Sequence, residues 1–210
     1  MSLSIFLLRL VTIPVLLVLS QTTPTGYLLD CGAGGSSRGG ATESGLRYVT
    51  DEGFITTGNI TELEQKDLVP ILATLRYFPD SSARKFCYSI PVIKGAKYLV
   101  KTTYYYGGFD GGEKPPVFDQ IVDGTKWGVV DTTDDYVNGL SSYYEIVVLA
   151  MAKSLSVCLA RNQNTKSSPF ISALEVEYLE DSLYNATDFN KYALRTVARS
   201  SFGGDGELIG

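Results

Sequence analysis

The 210-residue sequence predicts an all-β fold, an antiparallel β-sandwich or jelly roll. Three observations carry this. From Tyr27 onward, short runs rich in Tyr, Val, Ile, Phe and Thr alternate with spacers of Gly, Pro, Asp, Asn and Ser, the chemistry of strands and of the turns between them. Asp123-Gly124, between two such runs, is a strong two-residue hairpin signal because the favoured turn needs positive φ at both positions. No stretch sustains a helical periodicity.

The strand-like runs are 27–31, 47–50, 86–90, 97–106, 117–122, 126–130, 143–150, 155–160 and 171–178. In the last of these Leu174, Val176 and Tyr178 alternate with Glu175 and Glu177, the pattern of a strand with one buried and one wet face. Many short strands with Gly- and Pro-containing turns close into a sandwich or jelly roll rather than an open sheet. After Leu179 the character changes. Residues 184–197 are expected to form a weak helix, and the Gly-rich end beyond them has no core of its own. The segment 181–210 therefore reads as a connection rather than a domain.

Residues 1–20 are a separate object. Arg9 and the free amine precede the apolar run 10–19, which is shorter than the roughly 20 residues a spanning helix needs. Small residues at Val18 and Ser20 suit cleavage after Ser20, so the segment reads as a signal peptide. No later apolar run approaches spanning length. Entry into the secretory pathway makes Asn59-Ile60-Thr61 and Asn185-Ala186-Thr187 usable N-glycosylation sequons, which requires both to lie at the surface. It also places Cys31, Cys87 and Cys158 in an oxidising compartment, where an odd count leaves at least one thiol without a partner in the chain. Either one pairs outside the chain or the cysteines are buried like small apolar residues. The strand-like settings of Cys87 and Cys158 point to burial for at least one.

Composition removes several function classes. The chain contains no histidine, which rules out Ser-His-Asp and Cys-His nucleophile activation and His-ligated zinc. A net charge of −5 argues against nucleic acid, which needs clustered Lys and Arg. With no catalytic motif present, the chain is expected not to be an enzyme and to need no cofactor. The Gly32–Gly40 stretch misses a dinucleotide-binding fingerprint at Ser37 and a phosphate-loop lysine at Gly40, and reads as a surface loop. Asp131, Asp134, Asp135 and Asn138 cluster but match no EF-hand spacing, so a solvated turn is expected and no metal. Asp119 and Asp123 supply carboxylates without any sign of a glycosidase pair.

What stands out is 14 Tyr against 9 Phe, and the run Tyr104-Tyr105-Tyr106-Gly107-Gly108-Phe109-Asp110-Gly111-Gly112. In a strand Tyr104 and Tyr106 share one face and Tyr105 takes the other. One expectation is rings exposed beside a mobile Gly-rich loop, where flat aromatic faces stack on sugars and nearby Asp or Asn oxygens fix hydroxyls. The other is ordinary sandwich packing with one ring at the rim.

An ordered set of motifs resembles the malectin-like domain of plant receptor-like kinases with leucine-rich repeats. It comprises Leu29-Asp30-Cys31-Gly32, Asp51-Glu52-Gly53-Phe54, Thr74-Leu75-Arg76-Tyr77-Phe78-Pro79, Cys87-Tyr88, Tyr98-Leu99-Val100, Tyr106-Gly107-Gly108-Phe109-Asp110-Gly111 and Pro116-Val117-Phe118-Asp119. Trp127, Val157-Cys158-Leu159 and Pro169-Phe170-Ile171-Ser172-Ala173-Leu174-Glu175 complete it. The resemblance implies a galactose-binding-like jelly roll over 25–180, followed by a connection toward a second lobe, repeats, a membrane helix and a kinase. On that reading the chain is the first lobe of a truncated ectodomain, extracellular or at the cell surface, and bound to a membrane only through regions it lacks.

Animal malectin is similar to this family and binds glucose-containing disaccharides. Its Arg-Tyr pair corresponds to Arg76-Tyr77 and the first of its adjacent aromatics to Tyr106. The second falls on Gly107, and Asn162 and Asn164 lie near the place of its acid. The resemblance thus implies a module that binds a glucose-containing or cell-wall oligosaccharide through Tyr77 and Tyr106, and the aromatic run beside its Gly-rich loop adds Tyr105, Phe109 and Asp110. The alternative is a protein-interaction module for a peptide or co-receptor.

Overall fold

The computed structural model describes residues 26–34, 40–41 and 45–197. The expected signal peptide, most of the Gly32–Gly40 loop and residues 198–210 lie outside them. In chain order the strands are β1 (Gly26–Asp30), β2 (Gly40–Ala41), β3 (Arg47–Thr50), β4 (Asn59–Glu62), β5 (Thr74–Tyr77), β6 (Lys85–Pro91) and β7 (Lys97–Tyr104). They continue as β8 (Val117–Val122), β9 (Thr125–Asp131), β10 (Ser142–Leu149), β11 (Ser154–Arg161), β12 (Phe170–Ile171), β13 (Ala173–Leu179) and β14 (Leu194–Arg195), with a short α-helix α1 (Thr133–Val137) and a 3-10 turn at Pro70–Leu72.

A seven-stranded sheet, β14-β10-β7-β13-β1-β3-β2, forms one layer; a four-stranded sheet, β6-β11-β8-β9, and a small three-stranded sheet, β12-β5-β4, form the other. The ladders are antiparallel except for β1 with β3, which run parallel. The layers meet where alternation along each strand dictates: Tyr98, Val100, Thr102 and Tyr104 of β7 face inward, as do Phe86, Tyr88 and Ile90 of β6 and Phe118, Gln120 and Val122 of β8. The rings of Tyr104 and Phe118 touch edge-on across the gap at 5.5 Å. Gln120 joins the layers with bonds from its buried amide to Thr102 and Tyr104. The expected hairpin is present, with Asp123 at φ 46° and Gly124 at φ 83° between β8 and β9.

Several expectations are corrected. The run 171–178 is cut at Ser172, whose carbonyl accepts from Cys31 N–H and whose hydroxyl accepts from Tyr105 N–H. Residues 184–197 form turns and the short β14 instead of a helix. Buried Lys97 draws the carbonyls of Asp181 and Leu183 and the side chain of Asn185 onto its ammonium, and Tyr184 takes a left-handed φ of 57°; neither is compatible with a helix there. The acidic cluster is α1 and its flank, with Asp131 accepting from Thr133 N–H at 3.0 Å and Asp135 from the Ser142 hydroxyl at 2.5 Å. Among the described residues no group of side chains suited to a metal occurs. Cys87 and Cys158 stand directly opposite each other on β6 and β11 and form a disulfide; the buried thiol is Cys31.

Asp51, just past β3, sits at the meeting point of all three sheets. Its fully buried carboxylate takes a two-point bond from Arg76 of β5, Nε at 2.6 Å and Nη2 at 2.8 Å, and a third from the Tyr88 hydroxyl of β6 at 2.9 Å. The remaining Arg76 nitrogen reaches the carbonyls of Thr57 and Gly58. Beside it, the buried Asp30 carboxylate of β1 accepts from Tyr48 of β3 at 2.7 Å and Thr74 of β5 at 3.0 Å. Burial, then the neighbouring Asp51 charge, pushes the Cys31 thiol well above its usual range. Burial likewise raises the Tyr88 phenol, so both stay neutral donors.

Two outcomes are expected in equilibrium urea unfolding. Asp51→Asn strands the Arg76 guanidinium and should cost about 3–5 kcal/mol, the usual penalty for breaking a buried pair from one side; a loss under about 1 kcal/mol would refute the junction role. Reducing the disulfide, which closes a sequence separation of 71, should cost about 4 kcal/mol by the loop-entropy estimate. An unchanged midpoint in reductant would contradict it.

A polar groove beside the aromatic cluster

β7 ends at Tyr104, and the chain then turns sharply, with Phe109 N–H bonded to Tyr106 C=O at 3.3 Å and Gly111 N–H to Gly108 C=O at 2.9 Å. Two features favour glycine at position 107. Its φ is 55°, and a Cβ there would lie 2.9 Å from the Leu63 side chain. A side chain at this position would have to take a left-handed backbone and displace the tip of Leu63, so glycine is the residue that fits without strain.

The tyrosine run divides as strand geometry demands, and the exposed-ring expectation fails for two of its members. Tyr104 and Tyr106 are buried, at 1% and 2% exposure. Tyr105 faces the other way and is half-buried. The Tyr106 ring packs against Tyr136 at 4.7 Å, Phe109 at 5.5 Å and Phe170 at 5.9 Å, leaving only its hydroxyl to reach the Asp110 carboxylate. Burial, reinforced by that bond, holds the Tyr106 phenol above its ordinary value, so it donates. The second Asp110 oxygen accepts from the Ser167 hydroxyl. Asp110 is thus exposed but committed: it pins the turn.

Phe109 and Tyr77 are brought together, ring centroids 5.1 Å apart, and both are half-buried. Arg76 is not available to a ligand because Asp51 consumes it. Asn162 is held by Asp119 at 2.7 Å, and Asp119 also pairs with Lys126 at 2.8 Å. Asp123 accepts from Ser156 N–H at 2.8 Å.

Beside Phe109 opens a groove of about 500 Å³, walled by residues 61–65 on one side and 107–109 on the other. Glu62, Glu64 and Gln65 line it, with no Lys or Arg among the lining residues. This gives an array of acceptors and one amide beside an aromatic edge, suited to hydroxyl-rich or cationic groups. The contribution of 61–65 escaped the sequence reading because β4 is too short and too polar to register as a strand. The only available signal was the Ile60-Thr61 pair ahead of the buried Leu63. Both sequon asparagines, Asn59 and Asn185, are exposed. No helix among the described residues is long and apolar enough to cross a membrane.

Comparisons with known proteins agree with this architecture. The model of the malectin-like domain matches residues 29–209. The Arabidopsis thaliana receptor-like protein kinase At5g59670 is 32% identical over 209 residues, covering 97% of this chain and 23% of that protein. The probable LRR receptor-like serine/threonine-protein kinase PAM74 of the same plant is 35% identical over 161 residues, 74% of this chain and 17% of the relative. The chain therefore spans less than a quarter of these relatives. Among solved structures, the plant receptor-like kinase FER superposes with a TM-score of 0.66 at 18% identity, over 82% of this chain and 47% of FER. FER in complex with the peptide RALF23 and LLG2 gives 0.60 at 16% identity, over 74% and 49%. Matched by that domain model along most of its length and by receptor kinases at over 30% identity, the chain belongs to the malectin-like domain family.

Proposed function

We propose that this chain is an extracellular ligand-binding lobe of a receptor-like kinase ectodomain, and that its groove binds a cell-wall or glucose-containing oligosaccharide. The observation that carries the reading is the groove itself. A volume of about 500 Å³ falls within the usual span for small-ligand sites. Carboxylate and amide side chains line it beside the half-exposed Phe109. Hydroxyls of a sugar would donate to Glu62 and Glu64 while a sugar C–H face rests on the Phe109 ring, itself braced by Tyr77 and Phe170 at 5.1 and 5.4 Å. In this reading Phe109 contacts the ligand, Tyr77 and Tyr106 support it from behind, and Asp110 holds the turn in shape. Residues 1–20 would deliver the chain to the secretory pathway, in keeping with a disulfide between Cys87 and Cys158.

A second reading has its own support. The groove is acidic, and a structural neighbour is described in complex with a peptide and a second protein. A cationic peptide would pair with Glu62 and Glu64 rather than stack on Phe109. Salt separates the two, because ion pairs at an exposed groove are screened and sugar contacts are not.

Titration calorimetry with cell-wall oligosaccharides is expected to give weak, salt-insensitive binding. Phe109→Ala should weaken it several-fold, in line with about 0.5–1.5 kcal/mol for an aromatic contact. Absence of binding, or an affinity unmoved by Phe109→Ala, would remove the carbohydrate reading. Binding of a cationic peptide that weakens steeply with salt and with Glu62→Gln plus Glu64→Gln would install the second.

A further inference from the structure

The two sequons differ in their surroundings. The Asn185 side chain is occupied, accepting from Lys97 at 3.1 Å. Asn59 is exposed, makes no side-chain hydrogen bond among the described residues, and lies on β4, the outermost strand of the three-stranded sheet. In the ladder it stands directly opposite Tyr77 of β5. Residues so paired share a face, with Cβ atoms about 4.5–5.5 Å apart. The Leu63 N–H bonds the Ala73 carbonyl at 2.8 Å, and bonded and non-bonded pairs alternate along an antiparallel ladder. Asn59 and Thr61 therefore turn their backbone groups toward β5, while Ile60 and Glu62 turn theirs to the open edge. Ile60 is 50% exposed there. Thr61, the sequon hydroxyl, also lines the groove.

We propose that Asn59 carries an N-linked glycan whose first N-acetylglucosamine packs against Tyr77, so that the chain's own sugar caps the free edge of β4. The glycan comes from a lipid-pyrophosphate-linked oligosaccharide of the secretory pathway. Asn59 Nδ2 bonds the anomeric carbon, the carbon–oxygen bond to the pyrophosphate breaks, the pyrophosphate leaves with the electron pair, and the amide gives up one proton to base. Once the sheet folds, the first sugar is tethered within one side-chain length of the Tyr77 ring, so it packs there without the entropic cost that a free sugar would meet. Tyr77 is held in place for this by Phe109 on one side and by its ladder partner Phe170 of β12 on the other. A glycan at this position also blocks pairing of the Ile60 and Glu62 edge with another chain. The inference rests on the secretory reading alone and not on which ligand the groove takes.

The test uses the full chain secreted from a eukaryotic host, with glycopeptide mass spectrometry to read occupancy at each sequon. Proton resonances of the Asn59-linked sugar are expected to shift upfield under the Tyr77 ring current, and those of the Asn185-linked sugar are not. Amidase release of the Asn59 glycan from the folded protein should speed up about fivefold in Tyr77→Ala, the equivalent of roughly 1 kcal/mol. Tyr77→Phe should restore the slow rate, and release at Asn185 should be the same in all three proteins. If Tyr77→Ala does not fold, the ring-current shift in the unaltered protein decides. An unoccupied Asn59, or an occupied one with unshifted resonances and a release rate indifferent to residue 77, overturns the proposal. Oligosaccharide titration of the deglycosylated chain then tests the groove separately.

Discussion

The pairing of Asp51 with Arg76 is the constraint on which the rest of this structure depends. Each ion would be costly to bury alone, and the arrangement is stable because all three sheets contribute to it: the carboxylate from the end of β3, the guanidinium from β5 and a phenol from β6. A two-point guanidinium–carboxylate contact fixes orientation as well as distance. It therefore dictates where β5 lies, and through the β5 ladder where Tyr77 and β4 lie. The surface pairs Lys191 with Asp188 and Lys126 with Asp119 do no comparable work, since at least one partner in each is open to solvent. The wall of the groove formed by residues 61–65 is in this sense an extension of a charge pair on the far side of the small sheet.

The other wall is set by aromatic packing. Phe170, fully buried on β12, touches Tyr104, Tyr106, Phe109 and Phe118. The turn that follows β7 is consequently clamped at both ends, by ring contacts beneath and by the Tyr106–Asp110–Ser167 hydrogen bonds above. Glycines supply its sharp curvature and do not leave it loose. A carboxylate that looks free when only exposure is considered has both oxygens engaged, which is why Asp110 is better understood as a strut than as a ligand contact.

How much of this was legible in the sequence follows from where the information is local. Long central strands such as β7, β10, β11 and β13 carry their own signature of β-branched and aromatic residues, and Asp123-Gly124 announces its hairpin without help. β4, β5 and β14 are short and lie in the small sheet or at an edge; their existence depends on partners distant in the chain, and β5 is held by Asp51, 25 residues away. The resemblance matches Arg76-Tyr77 as a pair but says nothing of what the arginine binds, and its partner Asp51 is visible only in three dimensions. Exposure of the tyrosine run was not decidable locally either. Alternation separates Tyr105 from its neighbours, but only the opposing Phe118, Phe170 and Tyr136 determine which face is inside. Among the cysteines, strand-like surroundings suit a buried thiol and a cross-strand disulfide equally well, and the register of β6 against β11 separates them.

Cys31 has a further bearing on how the chain reaches its native state. Three thiols permit three single bridges, and under oxidising conditions thiolate exchange would sample all of them while the chain is open. Docking of β1 on β13 withdraws Cys31 from that exchange. Its sulfur comes to lie against the Leu29 carbonyl at 3.7 Å, out of contact with water, and burial with the nearby Asp51 charge suppresses its ionisation. Sheet assembly thus works as a proofreading step for oxidation: a bridge made to Cys31 cannot coexist with that docking, whereas one between Cys87 and Cys158 is compatible with every ladder in the sandwich. The core thus selects which sulfur stays a thiol: Cys31 is swallowed with the end of β1, and Cys87 and Cys158 are left facing each other across β6 and β11.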